Sequence, residues 1–162
     1  MKIAKIFIVA IVALLGFTAC GNPDNGGNSG NGSTSGWSDS GSPVGEWVLT
    51  EWNDSKELPF GVYLRLNEDN TFDLYQHTYT VLWVHYTGTF SLNGTTLSGV
   101  YSDGEEWSKY TIKYNKEAQQ IRLTNAEKNE VSIYSATTIP TEIVEDATEA
   151  TNVRSVEFEK FL

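Results

Sequence analysis

The sequence predicts an all-β domain over residues 44–162, an eight-stranded antiparallel up-and-down barrel. Three observations predict it. Short runs of residues alternate apolar and polar with a period of two, the mark of half-buried strands. Turn residues break those runs at nearly regular spacing. Every link between runs is short enough for a hairpin, so sequential antiparallel pairing is the simplest topology. Eight strands can close on themselves, which removes exposed edges.

The first strand is Gly45 to Trp52, and Val62 to Leu66 is the second. Asn67-Glu68-Asp69-Asn70 turns the chain into Thr71 to Gln76, with Phe72 and Leu74 on one face. Leu82 to Leu92 follows, with Tyr86, Gly88, Phe90 and Leu92 in phase. Asn93-Gly94 is a hairpin dipeptide of the type I′ kind, in which both central residues take positive φ. Thr95 to Tyr101 carries Leu97, Gly99 and Tyr101 in phase, and Trp107 to Tyr114 carries Tyr110, Ile112 and Tyr114. Gln120 to Thr124 carries Ile121 and Leu123, and Glu130 to Tyr134 carries Val131 and Ile133. These in-phase residues are expected to point inward. An eight-stranded interior is either filled by side chains or holds one small ligand, and the pattern does not choose between them. No segment between Val44 and Pro140 has a helical period. Thr138-Ile139-Pro140-Thr141-Glu142-Ile143 starts a short helix, with Pro140 in its first turn. The chain ends in Phe158, Phe161 and Leu162, and so apolar an end is expected to dock on the barrel.

Residues 1–19 read as an export leader: a basic start at Lys2 and Lys5, an apolar run from Ile6 to Leu15, and small residues before Cys20. The run is too short to span a bilayer as a helix. Phe17-Thr18-Ala19-Cys20 resembles the lipobox of bacterial lipoproteins, which implies cleavage before Cys20 and its lipidation. Cys20 is the one cysteine, so no intramolecular disulfide can form. Several acyl chains hold a protein at a membrane where one does not. Residues 20–43, beginning with the lipidated Cys20, form a tether of mostly Gly, Asn and Ser, too polar to bury a core. Such a coil reaches roughly 25 Å. Trp37 interrupts it and reads as a linker aromatic, with docking onto the domain as the other reading. The expected location is the outer membrane, facing the periplasm or the cell surface.

The chain has 21 acidic and 11 basic residues, and removal of the leader takes two of the lysines, leaving a net charge of −12. That disfavours nucleic acid and anionic lipid as electrostatic partners. Five Trp, eight Tyr and seven Phe fall mostly in the strand segments.

Gly45-Glu46-Trp47 resembles the G-x-W signature of the calycin group, which includes lipocalins, fatty-acid-binding proteins and avidins. Tyr86-x-Gly88-x-Phe90-x-Leu92-x-Gly94, Leu97-x-Gly99-x-Tyr101-x-Asp103-Gly104 and Trp107 resemble the lipocalin-like domains of small lipoproteins from Gram-negative anaerobes. Thr138-Ile139-Pro140 and Phe161-Leu162 are similar to that family as well. The resemblance implies a lipocalin-like barrel, with Trp47 in the core at one barrel end. It departs from lipocalins proper in having no arginine near Tyr134-Ser135-Ala136. Arg122 is out of phase with Ile121 and Leu123 and should face outward, so Arg154 is left as the one substitute.

Catalytic and metal constellations are weak. His77 and His85 lack a third ligand at a recognisable spacing. The acidic turns Asn67 to Asp73 and Asp103 to Glu106 miss the EF-hand pattern and read as hairpin chemistry. No nucleophile elbow occurs, and the Gly-rich tract precedes no phosphate-binding helix. The chain reads as a non-enzyme with no cofactor and no metal. Trp52, Tyr75, Tyr79, Trp83 and Trp107 lie near strand ends or in loops, where aromatics either cap the core or stack on apolar or sugar ligands. The candidate ligand-binding set at the barrel mouth is Trp52, Tyr75, Trp83, Tyr86 and Trp107. The functional expectation is a lipid-anchored barrel that binds a small apolar or carbohydrate ligand. The alternative is a protein-interaction module (an inhibitor, adhesin or accessory subunit) with an envelope protein as partner.

Overall fold

The computed structural model describes residues 36–78, 82–150 and 159–162. The leader, Cys20, the tether up to residue 35, Tyr79, Arg154 and Phe158 lie outside the described residues.

Eight antiparallel strands close into a barrel: β1 (Gly45–Trp52), β2 (Gly61–Leu66), β3 (Thr71–His77), β4 (Val84–Asn93), β5 (Thr96–Tyr101), β6 (Tyr110–Asn115), β7 (Gln120–Asn125) and β8 (Glu130–Ala136). Each strand pairs with its sequence neighbour, and β8 returns to β1 to close the ring. A helix, α1 (Thr141–Asp146), follows, and then β9 (Thr148–Glu149), which runs parallel to β4 at Val84 and His85. Among the described residues no helix is long and apolar enough to cross a membrane.

Alternation explains most of the core. Val62, Leu64 and Leu66 of β2 and Phe72, Leu74 and Gln76 of β3 are buried in step and face one another in register. The inward sets of all eight strands form one continuous apolar cluster. Two glycines let this ring close. A Cβ on Gly99 would come within 2.6 Å of the Trp107 indole, and one on Gly88 within 2.1 Å of the Val100 carbonyl oxygen. Trp107 therefore lies flat over backbone that only glycine leaves open.

Four local expectations are corrected. In β8 the inward residues are Ser132 and Tyr134, not Val131 and Ile133. Alternation defines two opposed sets without saying which faces in; here Tyr134 pairs with the inward Ile121 and Leu49 and fills more of the interior. Leu92 is in phase with Phe90 but sits at the hairpin tip beyond the core, and is exposed. In the Asn93-Gly94 turn only Gly94 has a positive φ, +61°, while Asn93 ends β4 paired with Thr96. Glycine at the first central position is the type II′ pattern rather than type I′. Trp107 precedes β6, which begins at Tyr110.

The barrel also gathers chain before and after its strands. Ser38 bridges to Tyr114, and the Arg122 guanidinium stands 5.0 Å above the Trp37 ring. Trp37 thus docks on the outward face of β7, the less favoured of its two readings, because Arg122 does point outward. Trp47 is buried, and its indole N–H donates to the Pro43 carbonyl at 2.8 Å.

Candidate functional site

The two ends of the barrel differ in chemistry. At one end β1, β3, β5 and β7 begin and β2, β4, β6 and β8 finish. Here the inward side chains are Trp47, Leu66, Phe72, Phe90, Leu97, Tyr114, Ile121 and Tyr134, all buried. This closed end is filled by the core, with Phe72 and Trp107 rings 4.6 Å apart. Toward the other end the strands point Val62, Gln76, Val84, Tyr86, Tyr101, Asn125 and Ser132 inward, all buried, while Tyr110 lies deeper, paired with Leu97. The side chains other than the two valines have apolar or compact bodies and hydrogen-bonding tips. Burial raises the Tyr101 and Tyr110 phenols, the latter to about 12, so both are neutral donors near neutral pH. Among the described residues Trp107 Nε1 and the Tyr114 and Tyr134 hydroxyls are buried without a hydrogen-bond partner, although buried polar groups are nearly always paired.

The rim of this second end is aromatic. Trp52 stands edge-on to Phe60 with centroids 5.5 Å apart. Across the rim lie the last four residues of the chain, 159–162. Phe161 packs 6.3 Å from Trp52 and 5.8 Å from Phe60, while Leu162 is buried in the core cluster. Gln76 Nε2 donates to the Glu159 carbonyl at 2.8 Å, and the Phe161 N–H donates to Gln76 Oε1 at 2.9 Å. The Tyr101 hydroxyl donates to the Leu162 carbonyl at 3.2 Å. Lys160 bonds the carboxylates of Asp103 and Glu105 and sits 4.5 Å above the Tyr101 ring. Burial would lower the Lys160 ammonium, but the two carboxylates outweigh it and hold its pKa above the ordinary lysine value.

The five residues expected to share a mouth divide. Trp52 is on the rim, and Tyr86 and Trp107 lie inside the barrel. Tyr75 and Trp83 are on the outer wall, because Tyr75 alternates with the inward Leu74 and Gln76. Tyr75 packs on Ile139 and Ile143 of the α1 segment, with Tyr63 and Trp83 beside them. Gln76, Tyr101, Phe60, Asp103 and Glu105 were not in that set. Gln76 carried a legible signal: a polar residue in the inward phase at a strand end.

On that outer wall a charge network ties the α1–β9 segment down. Glu46 accepts from Arg65 Nε at 2.8 Å and from the Ile139 N–H at 2.7 Å. Arg65 approaches Asp73 at 3.8 Å. His85, stacked on Tyr75, lies between Asp73 at 2.9 Å and Glu149 at 2.7 Å. Burial would lower the His85 imidazolium, but the hydrogen bonds to Asp73 and Glu149 outweigh it and raise its pKa. The same bond to His85 holds Asp73 below the usual carboxylate range. The carboxylates sit on opposite ring nitrogens, so the three groups do not converge on one point. His77 instead meets Trp83 edge-on at 4.6 Å. A shallow groove of about 420 Å³ crosses β3, β4 and β5 on their hydroxyl-bearing outer side, with Thr71, Asp73, Thr87 and Ser102 in its lining.

A closed antiparallel up-and-down arrangement of eight strands defines the class of small all-β barrels. Residues 44–119 match the family model of the lipocalin-like domain, and the eight-stranded barrel is consistent with that fold. No curated protein and no solved structure matches the chain. The fold alone specifies no ligand, since one barrel hosts many roles.

Proposed function

We propose that this chain is a non-enzymatic, lipid-anchored binding protein whose lipocalin-like barrel takes a small ligand at its open end. The ligand has an apolar or sugar-ring body and a polar group. The observation that carries this reading is the lining of the open half. Trp52 and Phe60 offer ring faces, while Gln76, Tyr101 and Tyr110 offer hydrogen bonds from below. An apolar site with a few converging polar groups is the usual form of a small-molecule site. The filled closed half leaves the ligand only the space that Phe161 and Leu162 take at the rim, so it binds by moving them.

The test is a tryptophan-fluorescence titration with dodecanoate and with maltotriose, on the wild type and on Trp52→Phe. The reading expects saturable quenching by one of the two probes, reduced by at least half in Trp52→Phe. No response to either probe would reject it.

Anchoring rests on the leader and on the resemblance of Phe17 to Cys20 to a lipobox. Mass spectrometry of the mature chain should find diacylglyceryl on Cys20, and Cys20→Ser should leave the membrane fraction. An unmodified Cys20 in membrane-bound protein would end this part of the proposal. The acidic surface and the tether suit a domain held near, but not on, an outer-membrane leaflet.

A further inference from the structure

We infer that the open end of the barrel is a peptide-reading site, occupied in this chain by its own residues 159–162. Its class of ligand in trans is an extended peptide with the side-chain order cation, aromatic, aliphatic. The inference stands on the contacts of those four residues and not on the small-molecule reading.

The contacts divide as peptide recognition does. One side chain reads the main chain: Gln76 is 1% exposed, and its amide donates to the carbonyl of Glu159 and accepts from the N–H of Phe161. Such a pair accepts any extended segment regardless of its side chains, as an added strand would. The Tyr101 hydroxyl adds a third main-chain bond, to Leu162. Three subsites then read side chains. Asp103 and Glu105 take the Lys160 ammonium over the Tyr101 ring, a charge-paired cation–π seat. Trp52 and Phe60 take the Phe161 ring. The barrel core takes Leu162. A segment that merely covered a core would need the apolar contacts alone. It would not need a buried amide satisfied by its backbone, nor two acids gathered about its cation.

A segment tethered to its own site competes at an effective concentration of order millimolar. A free peptide therefore binds weakly until the internal one is released. A partner that carries the same order of side chains, together with contacts outside the barrel, can displace it.

The test uses the full chain and a fluorescein-labelled peptide of the sequence of residues 157–162, followed by fluorescence polarisation. Lys160→Glu places a carboxylate against Asp103 and Glu105 and should free the site. Its affinity for the peptide should exceed that of the wild type by at least tenfold, and Gln76→Leu added to it should remove the gain. With Asp103→Lys and Glu105→Lys together, preference should pass to a peptide with Glu in place of Lys. If Lys160→Glu does not fold, Phe161→Ser supplies the same readout. Equal, non-saturating binding by the wild type and the folded released variant would overturn the inference and leave residues 159–162 as a cap. Dodecanoate is titrated in parallel. Saturable dodecanoate binding without peptide binding rejects the peptide site alone. Peptide binding without any response to dodecanoate or maltotriose rejects the small-molecule reading alone.

Discussion

The closed and open halves of this barrel are built from the same eight strands, yet they satisfy their interiors differently. In the closed half the inward residues, Tyr114 and Tyr134 among them, all come from the strands themselves. In the open half Val62 and Val84 stand beside inward residues with hydrogen-bonding tips, and part of the packing comes from a separate segment, residues 159–162, held by Gln76, Tyr101, Asp103 and Glu105. A strand cannot withdraw its own core without breaking the sheet. A segment outside the sheet can be released with its few contacts and let the sheet stand. The difference separates the part of the interior that makes the fold from the part that can be exchanged.

The largest expected effect contrasts equal truncations in the two halves. Ile121→Ala should destabilise the chain by about 3 kcal/mol, within the range for a buried aliphatic whose surroundings cannot collapse. Leu162→Ala should lower stability by less, roughly 2 kcal/mol at the low end of that range, because its segment can shift to close the gap. Urea unfolding measures both, and equal losses would break the comparison. Next is Gly99→Ala. Its methyl would lie 2.6 Å from Trp107, and overpacking of that kind costs about 2 kcal/mol. The indole should also change its emission, and an unchanged spectrum with unchanged stability would remove the account of why glycine stands there.

The smallest effect concerns the outer wall, where His85 links β3, β4 and β9. Its pKa is raised in the folded state. Its contribution is therefore fully present below its unfolded pKa, near 6.5, and is lost as pH rises through the higher folded value. Asp73 works in the opposite sense: its pKa is lowered, so its contribution is present above the unfolded value and lost as pH falls through the folded one. Arg65 and Glu46 beside Asp73, the neutral Tyr75 stacked on the ring, and Glu149 complete the neighbourhood. The stability gap between wild type and His85→Gln should be about 1 kcal/mol at pH 5, discounted for the exposed Glu149. It should shrink by pH 9. A gap independent of pH would mean that the imidazole is held by stacking rather than by charge.

Much of the barrel was legible in the sequence because a period of two is a local signal, and strands as short as Gln120–Asn125 still display it. The inward face of β8 was not. Val131 and Ile133 are the more apolar set, and only the cross-strand partners of Tyr134 choose the other. The site was legible in part. Trp52 could be placed near a strand end, and the phase of Tyr86 and Tyr101 put them inside. Position along the strands alone puts Tyr75 and Trp83 near the mouth, whereas the alternation of Tyr75 with Leu74 turns it outward. The partnership of Gln76 with residues 159–162 spans more than eighty positions and has no local trace; the apolar end of the chain hinted at docking but not at where.

The central claim is that the open half is the exchangeable half. Side-chain NMR of the full chain during titration with dodecanoate and with the peptide of residues 157–162 tests it most directly. The account predicts that the Leu162 methyls and the Trp52 indole N–H shift progressively with an effective ligand, while the methyls of Ile121 and Leu66 stay fixed. Shifts centred on Ile121 and Leu66, with Leu162 and Trp52 unmoved, would contradict it.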